Sequence, residues 1–221
     1  MTAVLEAERL YRFFHAGDDE TLALRGVSLA VERGEIVAVT GPSGSGKSTL
    51  LNVLAGLDEP DGGQVRINGE RISRRPEEVR ARLRAERIGL LYQLSNLVGH
   101  LSVADNVALA QLLAGNTTGR SWRSDLVRRL GLADRAHARP TQLSGGELAR
   151  AGLAVALAND PLVVLADEPT GELDGTTAAG ILDLLAERAA AGSAVVLVTH
   201  DPSVAGRADR EIALRDGAVA A

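Results

Sequence analysis

Gly41-Pro42-Ser43-Gly44-Ser45-Gly46-Lys47-Ser48 has the spacing G-x-x-x-x-G-K-[ST]. Residues of these types at this spacing suit one task, the cradling of a phosphate chain. Glycines let successive backbone N–H groups turn inward toward an anion. A helix starting directly after them adds the positive end of its dipole. Lys47 would set a compact cation beside the β- and γ-phosphates, the Ser48 hydroxyl would ligate Mg2+, and Thr49 would donate to the α-phosphate. Lys47 is the only lysine in the chain; arginine supplies every other basic side chain. A planar guanidinium does not replace a point charge at such a site.

A second group of residues could complete that chemistry. Leu162-Val163-Val164-Leu165-Ala166-Asp167-Glu168 is an apolar run ending in two acids. Asp167, at the end of a strand, would hold Mg2+ directly or through water, across from Ser48. Glu168 would then stand where a carboxylate can orient and polarise a water attacking the γ-phosphate. In Leu143-Ser144-Gly145-Gly146-Glu147, glycines again open a helix. The Ser144 hydroxyl and the N–H groups of Gly145 and Gly146 would form a second phosphate clamp. The simpler reading of the same residues is an ordinary capped helix start, since Glu147 stands three residues after Ser144 as in a capping box. Val198-Thr199-His200-Asp201 places a histidine after another apolar strand.

These groups need elements to hold them in register. Ile36 to Thr40 reads as a short β-branched strand leading into the glycine loop, and Ser48 to Leu57 as the helix after it, which is the context a phosphate loop requires. The first forty residues read as short strands, with a turn at Arg33-Gly34-Glu35. Gln64 to Asn68 reads as a strand closed by an Asn68-Gly69 hairpin turn. Pro76 to Arg87 reads as a charged helix with a solvated face, and Ile88 to Tyr92 as a strand. Ser95 to Asn159 is mostly helical, with helices at Val103 to Leu113, at Trp122 to Leu130 and from Ser144. After the acidic strand come a helix from Thr176 to Ala191, a strand at Ala194 to Thr199 and a last strand at Ile212 to Leu214. Strands alternating with helices imply a mostly parallel sheet covered on both faces. The helical stretch 95–159 interrupts that alternation and reads as a lobe inserted in one domain, with 1–94 and 160–221 as the nucleotide-binding core.

Composition narrows the setting. Hydrophobic residues make up 45% of the 221 residues and aromatics only 2%, so the core must be aliphatic. The net charge of −5 comes with no basic block, which argues against nucleic acid as a partner. Cysteine is absent, excluding disulfides and Cys-based metal sites. Charged residues interrupt the first segment where a signal peptide would need an apolar stretch, and no run approaches the roughly 20 apolar residues of a membrane helix. Any action at a membrane would therefore be expected to need another, membrane-spanning chain.

A phosphate loop alone fits many NTPases. Leu143 to Glu147, lying shortly before the acidic strand, resembles the signature sequence of ABC ATPases. Tyr92-Gln93 resembles that family's Q-loop, Glu172-Leu173-Asp174 its D-loop, and His200 its switch histidine. The wording of Gly41 to Asn52, Gly56-Leu57-Asp58 and Asp167-Glu168-Pro169-Thr170-Gly171 is similar to the lipoprotein-release and macrolide-export group. The resemblance implies an ABC-type P-loop fold, α/β with an N-terminal antiparallel β subdomain and the helical lobe. It implies an ATPase with ATP and Mg2+, and catalytic roles for Glu168, His200, Gln93 and Lys47. Mg2+ would be held by Ser48, Asp167 and Gln93. Nucleotide would be bound by Gly41 to Thr49, by Asp174, by Ser144, Gly145 and Gly146 of a second subunit in a head-to-tail dimer, expected to be a homodimer, and by an aromatic platform at Phe14, with Tyr11 and Phe13 as alternatives. It further implies a separate membrane permease and a place at the cytoplasmic face of the cell membrane. A division-type ABC ATPase acting on a membrane protein is the alternative. The chain departs from the group at Leu148 and Ala149, where glutamines are usual, and at Val155, Glu172 and Gly99.

Overall fold

The computed structural model describes residues 3–16, 19–92, 96–115, 120–171 and 173–220. Along the chain run β1 (Ala3–Ala16), β2 (Asp19–Glu32), β3 (Ile36–Thr40), α1 (Lys47–Leu54), β4 (Gly62–Ile67), β5 (Glu70–Arg71), α2 (Glu77–Arg87) and β6 (Ile88–Leu91). There follow α3 (Val103–Leu113), α4 (Arg120–Arg129), α5 (Gly145–Ala156), β7 (Val163–Asp167), α6 (Gly175–Ala190), β8 (Ala194–Val198), α7 (Pro202–Ala205), β9 (Arg210–Arg215) and β10 (Ala218–Val219).

The strands form two sheets. One is antiparallel, in the order β2-β1-β4-β5, and the other runs β10-β9-β3-β8-β7-β6. In the second sheet β9, β3, β8, β7 and β6 are parallel, and only β10 turns back. Its central strands are apolar on both faces because both faces are covered. Val163 and Leu165 of β7, with Ala194, Val196 and Val198 of β8, point into the core shared with α1 and the antiparallel sheet. Val164 and Ala166, with Val195 and Leu197, point into a second core built with α3, α4, α5 and α6. The period of two along each strand divides one run of residues between two cores.

Three readings of the sequence change. The short strands expected in the first forty residues are two strands of 14 residues each. Their alternation is hidden by irregular register: the β1–β2 pairing shifts at Ala3/Leu5, Ala7/Leu10, Leu10/Tyr11 and Arg12/Phe13, and Arg9 has φ of 44°. Each bulge moves the following side chains to the opposite face. The last strand is longer than expected and is followed by β10, which sits against β2 through a hydrogen bond from Arg25 N–H to the Gly217 carbonyl (2.7 Å). Finally, the arginines of α2 are not simply a solvated face. Arg80 pairs with Glu59 and Glu77, and Arg87 with Glu70. Arg84 pairs with Glu77 and donates to the Gly56 carbonyl (2.7 Å). Partners on other elements make this helix a clamp between α1 and the antiparallel sheet.

Candidate functional site

Four of the helices close their N-termini with their own side chains. Ser102 accepts from Asp105 N–H before α3, Ser144 from Glu147 N–H before α5, Asp174 from two amides before α6, and Asp201 from Ser203 N–H before α7. The first turn of α1 is different. Its N-cap is Gly46, with φ of 99°, no side-chain acceptor and no acid in the first turn. The leading N–H groups of α1 are left with the helix dipole and no internal partner, which is a ready anion site. The loop leading to it is tight. A Cβ on Gly41 would lie 2.1 Å from the Leu214 carbonyl oxygen, and one on Gly46 would lie 2.4 Å from the Ala23 carbonyl oxygen. Lys47 Nζ folds back on the loop, donating to the Gly41 (2.8 Å) and Pro42 (3.0 Å) carbonyls. Ser45 is buried, and its hydroxyl has no partner among the described residues.

This loop forms the floor of a cavity of about 970 Å³, at the upper end for small-molecule sites. Gly41, Pro42, Ser43, Gly44, Gly46, Lys47, Ser48 and Thr49 line it, together with Phe14, Asp167, Glu168 and His200. Residues distant in sequence are thus brought together by the parallel strands β3, β7 and β8, whose C-terminal ends all open on the cavity. Asp167 accepts a hydrogen bond from Ser48, while burial raises its pKa above the ordinary carboxylate value, with the nearby charge of Glu168 acting in the same direction. A half-buried carboxyl beside a hydroxyl is an oxygen donor set suited to a hard cation. Among the described residues no group of three or more His, Cys, Asp or Glu could hold a metal by itself. A cation at Ser48 and Asp167 would therefore take other ligands from phosphate oxygens, water or an uncharged side-chain oxygen, as Mg2+ commonly does.

Glu168 has φ of 47°, a left-handed conformation that few non-glycine residues adopt. Its N–H donates to the Val198 carbonyl (2.9 Å), tying the end of β7 to the end of β8. That geometry carries its carboxylate to His200, whose Nδ1 lies 2.7 Å from Oε1 and whose backbone N–H donates to the same oxygen (3.1 Å). The Thr199 hydroxyl donates to Oε2 (3.3 Å) and accepts from Asp201 N–H (3.0 Å). Glu168 and His200 therefore form a contact pair at the cavity wall. Backbone strain of this kind, of order 1–3 kcal/mol, concentrates where geometry serves function.

Of the three aromatic candidates, only Phe14 lines the cavity. It is 41% exposed. The Tyr11 ring lies instead against Gly26 and Gly62. Arg12 lies 4.8 Å from the centroid of the Phe14 ring. Burial lowers the Arg12 pKa, but its bonds and charge interactions with Asp58 and Asp61 outweigh that and raise it.

Not every expected site residue enters the cavity. Ser45, Ser144, Gly145, Gly146 and Asp174 do not line it. Ser144 and Glu147 form the expected capping box: Ser144 N–H donates to Glu147 Oε2 (2.8 Å) and Glu147 N–H to Ser144 Oγ (3.3 Å). Arg135 adds an ion pair to Glu147 at 2.9 Å, and the backbone bond from Ser144 leads in pulling the Glu147 pKa down to about 2. Asp174 caps α6, and Thr177 of that cap would crowd a Cβ on Gly146 at 3.0 Å, so the two segments adjoin. Gln93 and Glu172 lie outside the described residues. The sequence reading missed Thr199, whose hydroxyl orients Glu168, and the walls formed by Thr21, Leu22, Ala23, Arg25, Asp216 and Gly217. Thr199 could have been suspected from its place between strand and histidine. The wall residues carry no comparable signal.

The chain is similar to known proteins over most of its length. The family model described as ABC transporter matches residues 24–171. The macrolide export ATP-binding/permease protein MacB of Hyphomonas neptunium is 44% identical over 218 residues, covering 98% of this chain and 34% of that protein. MacB 1 of Aeromonas hydrophila subsp. hydrophila is 45% identical over 220 residues, covering 99% and 34%. The chain thus spans about a third of the length of the curated relatives it matches. Among solved structures, the dimeric structure of MJ0796, a bacterial ABC transporter cassette, superposes with a TM-score of 0.90 at 36% identity, covering 98% of this chain and 97% of that one. A post-hydrolysis dimer of the same cassette, bound to ADP and Pi, matches with a TM-score of 0.90 at 35% identity.

Proposed function

This chain belongs to the ABC transporter family, and from that premise we propose that it is the ATP-hydrolysing motor of a membrane export system of the macrolide-export type. The observation that carries the proposal is the glycine-capped N-terminus of α1, with Lys47 beside it, facing Asp167, Glu168 and His200 in one cavity. Phosphates would lie against the free N–H groups of α1, with Lys47 leaving the Gly41 and Pro42 carbonyls to meet them. The unpartnered Ser45 hydroxyl is a further donor within the loop. Phe14 would stack on the base. The fit of Ser48 and Asp167 supports Mg2+ as cofactor, with Gln93 as a third ligand; bound there, the cation would neutralise phosphate charge as the γ-phosphoryl group departs. Glu168 would accept a proton from the attacking water, and His200, now in contact with it, would move to the γ-phosphate as the site fills.

Ser144, Gly145, Gly146 and Asp174 do not line this cavity, yet Ser144 and Gly145 are exposed and sit at the start of a helix fixed by the capping box. That placement supports a head-to-tail homodimer in which they close the site of the other copy, and the dimeric structure of the MJ0796 cassette supports dimerisation. The helices between 95 and 159 are proposed to form a lobe that moves against the core (1–94 and 160–221) when the dimer closes, transmitting that motion to a permease. No helix among the described residues is long and apolar enough to cross a membrane. The relatives carry a permease in the same protein, which supports a membrane-spanning partner, here on a separate chain or a further segment. The site would then lie at the cytoplasmic face. Replacing Lys47 by Ala tests the nucleotide assignment: MgATP affinity measured by calorimetric titration should fall at least ten-fold, and unchanged affinity would refute it.

A further inference from the structure

Two of the acids in the turn after α1, Asp58 and Asp61, grip one side chain on the antiparallel sheet. Arg12 Nε donates to Asp58 Oδ2 (2.9 Å), its Nη2 lies 2.8 Å from Asp58 Oδ1, and its Nη1 lies 3.2 Å from Asp61 Oδ2. The pairing with Asp58 is a two-pronged fork, the arrangement a guanidinium is shaped for. Asp61 also accepts from the N–H of Phe13 at 2.7 Å, so it holds the β1 backbone directly beside the ring of Phe14. The backbone N–H of Asp58 donates to the Asn52 carbonyl on α1 (3.2 Å). An unbroken chain of contacts therefore runs from the phosphate-loop helix, through the turn and Arg12, to the Phe14 ring.

Arg12 and Phe14 are two residues apart on β1, and their side chains meet. The guanidinium carbon sits 4.8 Å from the ring centroid, within cation–π range. Phe14 lines the nucleotide cavity and Arg12 does not. The guanidinium thus backs the ring from outside the cavity. An exposed phenylalanine on a strand would otherwise sample several rotamers, and a stacking platform that wanders binds a base weakly.

We infer that Arg12 is a positioning residue for nucleotide recognition: fixed by Asp58 and Asp61, it holds the Phe14 ring at a set distance from the phosphate loop so that a purine base can stack on the ring while its phosphates reach α1. This rests on the ATP-site reading above and adds a residue that need not touch the nucleotide. It also separates two parts of the binding energy. Base binding depends on Arg12; phosphate binding does not.

The test is calorimetric titration of the chain with MgATP and with magnesium tripolyphosphate, which keeps three linked phosphates and lacks the base. Arg12→Ala should weaken MgATP binding by about 2- to 5-fold, the size of a cation–π contact at a partly exposed site, and leave tripolyphosphate affinity unchanged. In a Phe14→Ala background the same substitution should have no further effect on MgATP. Because the readout is the ratio of the two affinities, a general loss of folded protein cancels, and Arg12→Gln, which keeps a hydrogen bond to the acids, should give the same selective loss. Equal weakening of both ligands, no weakening of either, or an undiminished effect in the Phe14→Ala background would overturn the inference. Failure of the unsubstituted chain to bind either ligand would instead sink the ATP-site reading itself.

Discussion

Gly44 and Gly46 stand two residues apart in the phosphate loop, both at positive φ, 78° and 99°. Alanine at either position pays the left-handed penalty of roughly 1–2 kcal/mol. The surroundings then separate them. A Cβ on Gly44 has nothing within 4 Å, whereas one on Gly46 lies 2.4 Å from the Ala23 carbonyl oxygen, inside any tolerated contact. That oxygen belongs to strand backbone and cannot swing aside. Overpacking of this kind adds about 1–3 kcal/mol. For a chain of this size each kcal/mol lowers the melting temperature by about 2–4 °C. Gly44→Ala should therefore melt about 2–8 °C below the unsubstituted chain, and Gly46→Ala lower still by at least about 2 °C. The functional gap should be wider, because Gly46 is the N-cap of α1 and any shift there displaces the N–H groups next to Lys47. A displacement near 1 Å can cost about 100-fold at a phosphate-transfer site. Differential scanning calorimetry with parallel ATP-hydrolysis assays measures both quantities. Equal losses at the two positions, or a larger loss at Gly44, would refute the steric argument.

Two further substitutions follow from charge. Burial raises the Asp167 pKa in the nucleotide-free chain; a carboxyl whose folded pKa is raised costs stability once pH rises through that value, so Asp167→Asn should melt higher than the unsubstituted chain at pH 7.5 (about neutral conditions) while losing Mg2+-dependent ATP hydrolysis. Paired thermal melts and phosphate-release assays decide it, and a lower melting temperature would count against the burial argument. Glu147 behaves oppositely: with its pKa drawn down to about 2 from 4.5, its contribution is present above 4.5 and lost as pH falls through about 2. Glu147→Gln should flatten the acid limb of the stability curve between those values, measured by circular dichroism melts across pH; an unchanged acid limb would contradict the cap geometry.

Much of this site was readable from the chain because local rules and the fold agree there. A glycine loop between an apolar strand and a helix, an apolar strand ending in Asp167-Glu168, and Ser144 followed by Glu147 each carry a short-range signal, and each forms the expected local structure. Reading failed where structure depends on distant partners. Bulges scrambled the alternation of β1 and β2. Arg80 and Arg84 looked solvated because Glu59 and the Gly56 carbonyl, which hold them, lie on other elements. Ala23 and Gly217 wall the cavity through backbone position, which no side-chain pattern encodes. Among the aromatics, Phe14 was favoured with Tyr11 and Phe13 as alternatives; Phe14 lines the cavity, whereas the Tyr11 ring lies against Gly26.

The central claim is that Glu168 and the phosphate loop of one copy, with the Ser144 segment of another, make one hydrolytic site. It is tested most directly by Glu168→Gln, which keeps the shape of the side chain and removes its basicity. Incubated with MgATP and followed by size-exclusion chromatography with light scattering alongside phosphate release, that variant should form a lasting dimer and hydrolyse ATP about 100- to 10,000-fold more slowly, while Glu168→Gln combined with Ser144→Arg should stay monomeric. Turnover at the unsubstituted rate, or a dimer indifferent to both ATP and the change at Ser144, would contradict it.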